Sequence, residues 1–264
     1  MRASTSARRG APRRLSSGRR RLIRRAVGAR RCAVALAAVA TFAAAAASAQ
    51  APRQLAAPPP ADPGPEGLPD FNGVWAVEYI PNVEQRIGGP VPYTEVGQAA
   101  WDNRVMGEDP TGYCQPSGPS RVFHTPFPVQ IIQTESQVSF LFEMLHMYHR
   151  VFTDGRDHPD PVDKTWWGHS VGRYEGDSLI VDTVGLNDRT WLYTSGVQHS
   201  DQLHLTQVFE KTGPDTIRYT VTYDDPVFFT EPWSVTSEFT RSEYDLLEFI
   251  CTENNRDIAH FITE

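Results

Sequence analysis

The chain has little cysteine, and its start has no acidic residue at all. Only three of the 264 residues are cysteine, and the first 49 residues contain 12 arginines without one Asp or Glu. An apolar run begins at Cys32 and ends in Ala47-Ser48-Ala49, the small-x-small pattern that signal peptidase recognises. The run is shorter than the ~20 residues of a membrane span. Residues 1–49 are therefore predicted to be a signal peptide, with a retained anchor as the alternative, and no span is expected after cleavage.

The leader predicts export without deciding the route. Arg19-Arg20 precede Leu22-Ile23, which resembles a twin-arginine signal. The basic start and the apolar run also satisfy the general secretory (Sec) route. Both alternatives predict a periplasmic or secreted protein.

Acidic residues dominate the rest of the chain. Residues 50–264 have 13 basic and 32 acidic side chains, a formal charge of −19. Such a surface repels nucleic acid and anionic lipid head groups, and it favours neutral or cationic ligands. The expected partner is a small-molecule ligand or substrate. The composition does not determine the oligomeric state.

Two cysteines follow the leader, Cys114 and Cys251. In an oxidising compartment an even pair forms a disulfide more often than a reactive site. A Cys114–Cys251 disulfide is therefore predicted. In the loop-entropy model a loop of this length gives a stabilisation of ~4–5 kcal/mol.

Proline and helix signals divide the exported part of the chain. Seven prolines within residues 50–69 predict an extended tether, because proline lacks an N–H donor and has a fixed φ. Residues 70–264 have the length of one folded domain. Thr94 is a suitable N-cap for a short helix of about three turns, whereas the proline and glycine content of residues 108–121 predicts a loop.

Short β-prone segments make up most of the remaining sequence. About ten segments rich in β-branched and aromatic residues, from FNGVWAVEY to DLLEFICTE, recur every 10 to 20 residues. Without helical crossovers they are expected to pair as an antiparallel meander that closes into a barrel. Gly73-Val74-Trp75 resembles the G-x-W of the first strand in lipocalin-like (calycin) barrels. The predicted fold is all-β, a lipocalin-like barrel with one short helix after the first strand.

The segment GHSVGRYEGDSLIVDT (residues 168–183) predicts a hairpin that turns at Gly176. Strand alternation places His169 and Arg173 on one face and Asp182 on the face opposite Leu179. Two interpretations remain open. The polar side chains form cross-strand ion pairs on a solvated face, or they line a site inside the barrel.

Histidines, carboxylates and arginines near this hairpin are candidates for general acid–base chemistry. His169 or His204 is the candidate base, and a carboxylate would orient it while an arginine binds an oxyanion. The candidate catalytic residues are His169, His204, Asp182, Asp188, Arg150 and Arg173. Neither H-x-H nor H-E-x-x-H occurs, so no metal ligand is assigned and the cofactor is unknown.

Aromatic residues in the same region predict a binding site at the barrel mouth. The candidate ligand-binding residues are Trp166, Trp167, Trp191, Tyr193, His146 and His199. The leading hypothesis is an exported barrel that binds a small aromatic or apolar molecule. The alternatives are a hydrolase or lyase of the same fold, possible metal assistance included, and a structural role in the cell envelope.

Longer motifs resemble a widespread family of uncharacterised exported bacterial proteins. The segments DFNGVW, DPTGYCQPSGPSR and GHSVGRYEGDSLIVDT are similar to that family, whose core motif is G-H-S-x-G-x-W-E-G-D-x-L-V-V-D-T. The resemblance covers residues 70–257, with Tyr174 where the family usually has Trp. It implies that six residues belong to family motifs, without implying an activity: Cys114, His169, Asp182, Asp188, His199 and Cys251.

Overall fold

The strands form one closed β-barrel in which consecutive strands are neighbours. A computed structural model describes residues 57–58 and 61–253. The first strand pairs with the second and also with the last, which closes the ring. The strands are β1 (Gly73–Val77), β2 (Val129–Gln133), β3 (Gln137–Phe142), β4 (Tyr148–Phe152), β5 (His169–Glu175), β6 (Ser178–Val184), β7 (His204–Gly213), β8 (Thr216–Asp224) and β9 (Trp233–Arg241).

The all-β barrel is confirmed, with nine strands in the described part of the chain instead of about ten, and this closed barrel is compatible with a lipocalin-like fold. The expected last strand, residues 245–253, is irregular. Because β9 already pairs with β1, the ring leaves no free edge for another strand. The backbone N–H groups of Leu247 and Phe249 instead donate to Glu143 Oε2 and His146 Nε2, each over 2.8 Å.

The predicted helix is present, and other helical turns accompany it. Helix α2 (Glu95–Asp102) has Thr94 as N-cap, whose Oγ1 accepts from the Gly97 N–H at 3.1 Å. Segment 108–121, predicted as a loop, is partly helical. The additional elements are α1 (Val83–Ile87), α3 (Gly118–Arg121) and 3-10 turns at Met106–Glu108, Pro110–Tyr113, Val122–His124 and Met144–His146. None of the helices within residues 57–58 and 61–253 has the length and apolar composition of a membrane span.

The predicted leader, residues 1–49, lies outside the described residues, and the tether is described only at 57–58 and 61–69. The predicted cysteine pair lies within the described part. The Sγ atoms of Cys114 and Cys251 are 2.02 Å apart, the distance of a disulfide bond. The bond joins the segment after β9 to the turn that precedes α3.

Aromatic side chains fill the barrel interior around one residue. Residues 118–124, here called the plug segment, place the Phe123 ring inside the barrel with 1% exposure. Its centroid lies 5.2–5.8 Å from the centroids of five rings on four strands: Phe140, Phe142, Phe209, Tyr219 and Phe239. Close packing of this kind replaces an open lumen at the level of Phe123.

The central hairpin turns at Gly176 as predicted, and the side chains of His169, Arg173 and Asp182 point outward, whereas buried Ser170 and Thr183 point inward. Leu179 and Val181 are each 1% exposed, so they face the interior, and Asp182 alternates to the outer face. His169 lies on that same outer face, because the inward position on β5 is taken by buried Ser170. The interpretation in which this hairpin lines the barrel lumen is therefore wrong.

Strands β4 and β5 are parallel, whereas the meander predicted antiparallel neighbours throughout. Residues 153–168 run back from the end of β4 to the start of β5, and a single residue pair, Phe152 with Val171, joins the two strands. Gly172 permits this contact, since a Cβ there would lie 2.7 Å from Val151 Cγ1. Phe152 and Val171 form the one sheet pair between these strands within the described residues, and residues at the starts of both strands line a cavity, here called the gap in the barrel side.

Gly168, which precedes β5, is expected to be intolerant of any side chain. Its φ is +64°, and a Cβ would lie 2.5 Å from the carbonyl oxygen of Val184. Gly176 has a similar φ of +57° but no atom within 4 Å of its Cβ position. We expect Gly176→Ala to lower the free energy of unfolding by about 1–2 kcal/mol through the left-handed backbone alone.

Gly168→Ala should lower the free energy of unfolding by roughly 1–3 kcal/mol more than Gly176→Ala does, because the backbone must also move away from the carbonyl oxygen of Val184. Urea unfolding of the two variants measures both values. Equal stabilities would show that the contact with Val184 does not restrict this position.

Candidate functional site

A cavity of about 430 Å³ occupies the gap between β4 and β5. Because the strands are parallel and joined only near Phe152, the starts of both strands face each other across it. The lining residues are Met147, Tyr148, His149, Arg150, Phe152, Trp167, Gly168, His169 and Ser170. We call this space the β4–β5 cavity.

Two aromatic rings of this cavity are held in place by their neighbours. Trp167 stacks on Phe142 with a centroid distance of 5.6 Å and lies 5.4 Å from the His149 ring. Phe152 stacks on His169 at 5.5 Å. Rings fixed in this way form a contact surface before any ligand arrives, which reduces the entropy lost on binding.

An imidazole–carboxylate network borders the cavity on the outer face of the barrel. Asp182 on β6 accepts hydrogen bonds from His158 Nε2 at 2.8 Å and from His204 Nε2 at 2.6 Å. The other nitrogen of His158, Nδ1, lies 2.8 Å from His169 Nδ1. The segment between β4 and β5 provides His158, so this segment connects the carboxylate to a histidine of the cavity.

The hydrogen bonds determine which nitrogen of His169 is free. An ionised Asp182 requires His158 to donate through Nε2, so neutral His158 has a lone pair at Nδ1. His169 then donates through Nδ1 and keeps the lone pair at Nε2. The chain from Asp182 through His158 to His169 therefore ends in a proton acceptor on a residue that lines the cavity.

Electrostatics favours an ionised Asp182 and a neutral His169. The hydrogen bond from His204 lowers the pKa of Asp182, and the same bond raises the pKa of His204. Partial burial lowers the pKa of His169, and the nearby His158 and Arg156 lower it further. Near pH 7 the carboxylate is thus ionised and His169 is neutral, the form that accepts a proton.

Of the six candidate catalytic residues, the structure brings His169, Asp182 and His204 into one network, and Arg150 lines the cavity together with His169. Asp188 and Arg173 are not part of this group. Asp188 is exposed in the loop after β6. Arg173 is exposed and donates through Nε to Glu175 Oε1 at 2.7 Å.

The aromatic candidates separate into a cavity residue and three others. Trp167 lines the cavity, whereas the ring of Trp166 faces the Arg189 guanidinium at 6.0 Å. Trp191 and Tyr193 are buried. Tyr193 accepts a hydrogen bond from Tyr223 and packs in the core, so the structure does not bring the four rings together.

The two histidines predicted to bind ligand hydrogen-bond to other parts of the protein and do not line the cavity. His146 Nε2 accepts from the backbone of Phe249 and so holds the segment after β9. His199 is buried, with Nδ1 donating to Ser200 O at 2.8 Å and Nε2 lying 2.7 Å from Thr190 Oγ1. Burial lowers the pKa of His199. Both ring nitrogens of His199 thus have partners within the protein, and His146 has its Nε2 engaged.

Sequence reasoning missed the pair formed by Ser170 and His149. Residues 168–172 spell GHSVG, which matches the G-x-S-x-G pattern of serine nucleophiles in α/β-hydrolases. Ser170 Oγ lies 3.0 Å from His149 Nε2 and 2.7 Å from Thr183 Oγ1.

Three observations favour a structural bridge between β4 and β5 over a nucleophile–base pair. Ser170 is 1% exposed, and it lies within a strand instead of the strand–turn–helix elbow of those enzymes. Burial lowers the pKa of His149 to about 4, which makes it a weak base.

His158 was also missed, because its partner Asp182 is distant in the chain and no spacing rule links them.

Within the described part of the chain, no group of three or more His, Cys, Asp or Glu side chains converges as a metal-binding set. The comparisons with known proteins also give no ligand. No family model, no curated protein and no solved structure matches this chain. The family resemblance of the sequence motifs therefore stays a prediction, and the function is argued from the site alone.

The His204–Asp182 pair should be visible in a pH titration. We expect Asp182→Asn to lower the pKa of His204 towards the ordinary value of about 6.5, because the variant removes the negative charge that favours the imidazolium. Two-dimensional NMR of the imidazole resonances measures this. Asp188→Asn is the matched control and should leave His204 unchanged.

The same pair makes stability depend on pH. Because folding raises the pKa of His204, protonated His204 stabilises the folded state. This stabilisation is complete below about pH 6.5 and is lost as the pH rises through the pKa of His204 in the folded state. Because folding lowers the pKa of Asp182, the ionised carboxylate also stabilises the folded state. This stabilisation is complete above about pH 3.9 and is lost as the pH falls through the pKa of Asp182 in the folded state. Wild type should therefore exceed Asp182→Asn in stability most between those limits. A constant difference from acid to alkaline pH would contradict this assignment.

Proposed function

We propose that the protein binds a small aromatic or apolar molecule in the β4–β5 cavity. The observation that carries this proposal is a cavity of about 430 Å³ lined by Tyr148, Phe152 and Trp167. Its volume falls in the range of ~300–1,000 Å³ that is typical of small-molecule sites. The barrel gap, not the barrel lumen, is the proposed site, because Phe123 and its aromatic neighbours occupy the interior.

The cavity provides both apolar contact and orientation. Trp167 is only partly buried although it packs on Phe142, so one ring surface is available for stacking. Stacking adds about 0.5–1.5 kcal/mol to the area effect for an aromatic partner. His149, Arg150 and His169 add polar groups that can orient such a partner. A specific small-molecule site usually has this composition, with a few polar groups among aromatic and apolar ones.

The proposal is tested with N-phenyl-1-naphthylamine, an uncharged aromatic probe that fluoresces in apolar surroundings. Trp167→Leu should weaken its binding by about fivefold to tenfold, since the variant removes a stacking surface. Trp166→Leu is the matched control, an adjacent tryptophan outside the cavity lining, and it should bind as wild type does.

Trp167 also packs on the core, so a second variant separates binding from folding. Tyr148 is 63% exposed and lines the cavity, and Tyr148→Ala should weaken probe binding without a change in melting temperature. No saturable binding by the wild type, or equal affinities in all three variants, would refute the proposal.

A second candidate function is a hydrolase or lyase with His169 as general base. The network from Asp182 through His158 to the cavity favours it, because that network leaves the Nε2 of His169 ready to accept a proton. Arg150 is the predicted oxyanion-binding group that lines the same cavity.

We would test it with p-nitrophenyl esters of small aromatic acids. If the candidate is correct, His169→Gln abolishes turnover and retains probe binding. The wild-type rate should rise with pH and reach its plateau before pH 6.5, since the pKa of His169 is lowered from its ordinary value. His146→Gln, outside the cavity, should turn over normally. If the wild type shows no turnover, or if His169→Gln does not change it, the enzyme candidate is refuted and small-molecule binding remains the proposed function.

A further inference from the structure

The charge of the cavity lining is opposite to that of the chain as a whole. Residues 50–264 have 19 more acidic than basic side chains. The nine residues that line the β4–β5 cavity include one arginine and two histidines and no acidic residue. The net charge favours neutral or cationic ligands, but a ligand in this cavity meets cationic and neutral groups.

Two carboxylates that adjoin the cavity-lining residues, one in the chain and one in the hydrogen-bond network, already have partners. Asp154 accepts from Arg156 Nη2 at 2.5 Å, and Asp182 accepts from two histidines. Neither carboxylate lines the cavity. A cationic ligand would therefore find no available carboxylate there.

Arg150 differs from Arg156 and Arg173, the next two arginines in the chain. Arg156 and Arg173 each form an ion pair with a carboxylate. Among the residues that the structure describes, no carboxylate lies within ion-pair distance of Arg150, and its guanidinium carbon lies 5.4 Å from the Phe152 ring centroid. Arg150 is exposed and lines the cavity, so its donors are accessible to a ligand.

Phe152 brings the cation and the aromatic surface together. Its ring contacts the guanidinium groups of Arg150 and Arg156 and stacks on His169. An aromatic molecule beside Phe152 would thus have its substituent within reach of Arg150. A guanidinium binds the planar oxygens of a carboxylate or sulfonate through two parallel hydrogen bonds.

We propose that the ligand is an aromatic anion, with its ring against Trp167 and Phe152 and its carboxylate or sulfonate on Arg150. This inference rests on the proposed binding function and adds the charge of the ligand. It also assigns Arg150 as the residue that discriminates between anionic and neutral aromatic molecules.

The test compares two probes with the same aromatic framework. 1-Anilinonaphthalene-8-sulfonate carries a sulfonate that N-phenyl-1-naphthylamine lacks, and the fluorescence of both increases on binding. Wild type should bind the sulfonate about tenfold more tightly than the neutral probe, as expected for a charge-assisted hydrogen bond. Arg150→Gln should remove most of that preference, so that the affinities of the variant for the two probes differ by less than about twofold.

Arg218→Gln is the matched control, because it removes one positive charge from an exposed arginine on β8 that is paired with Glu210. It should retain the preference for the sulfonate. If neither probe binds in a saturable way, the proposed function itself fails. If both bind equally, or if Arg150→Gln keeps the preference, the binding site stands and the anion assignment is overturned.

Discussion

The single parallel contact between β4 and β5 is the constraint on which the rest of the site depends. The ring closes there through one sheet pair, Phe152 with Val171, and the side chains of Ser170 and His149 form a second link between the two strands. A parallel neighbour also requires the chain to travel back along the barrel, and residues 153–168 do so on the outside. The same constraint therefore produces the cavity and brings His158 to Asp182.

The packed interior explains why the site lies in the side of the barrel. Phe123 is in contact with rings from β3, β7, β8 and β9, so the plug segment takes the central volume that a ligand occupies in an open barrel. Large buried aromatic residues stabilise such a core through both area and packing. The accessible aromatic surface of the β4–β5 cavity lies instead in the wall of the barrel, beside the single sheet pair between β4 and β5.

Strand alternation alone would place the outward polar side chains of the central hairpin on a solvated sheet face, but in the structure this face is partly covered. On an exposed sheet Asp182 would form weak cross-strand pairs. The returning segment covers this face in part, so the side chains of Asp182 and His158 are only 31% and 21% exposed. Reduced contact with water strengthens their interaction and lets the network hold His169 in one tautomer. The distinction between a solvated face and a site thus depends on a loop, not on the strands.

Local chemistry explains what the sequence by itself determined: the β class, the Gly176 turn, the Thr94 cap, the alternation of Leu179 with Asp182 and the pairing of Cys114 with Cys251. Each follows from period-2 sterics, from one residue's backbone preference or from the number of cysteines. Only the tertiary structure decided the direction of β5 relative to β4, the insertion of Phe123 and the contact of His158 with Asp182. These depend on packing between segments distant in the chain, and neither strand periodicity nor turn composition records which distant segment will cover a given face.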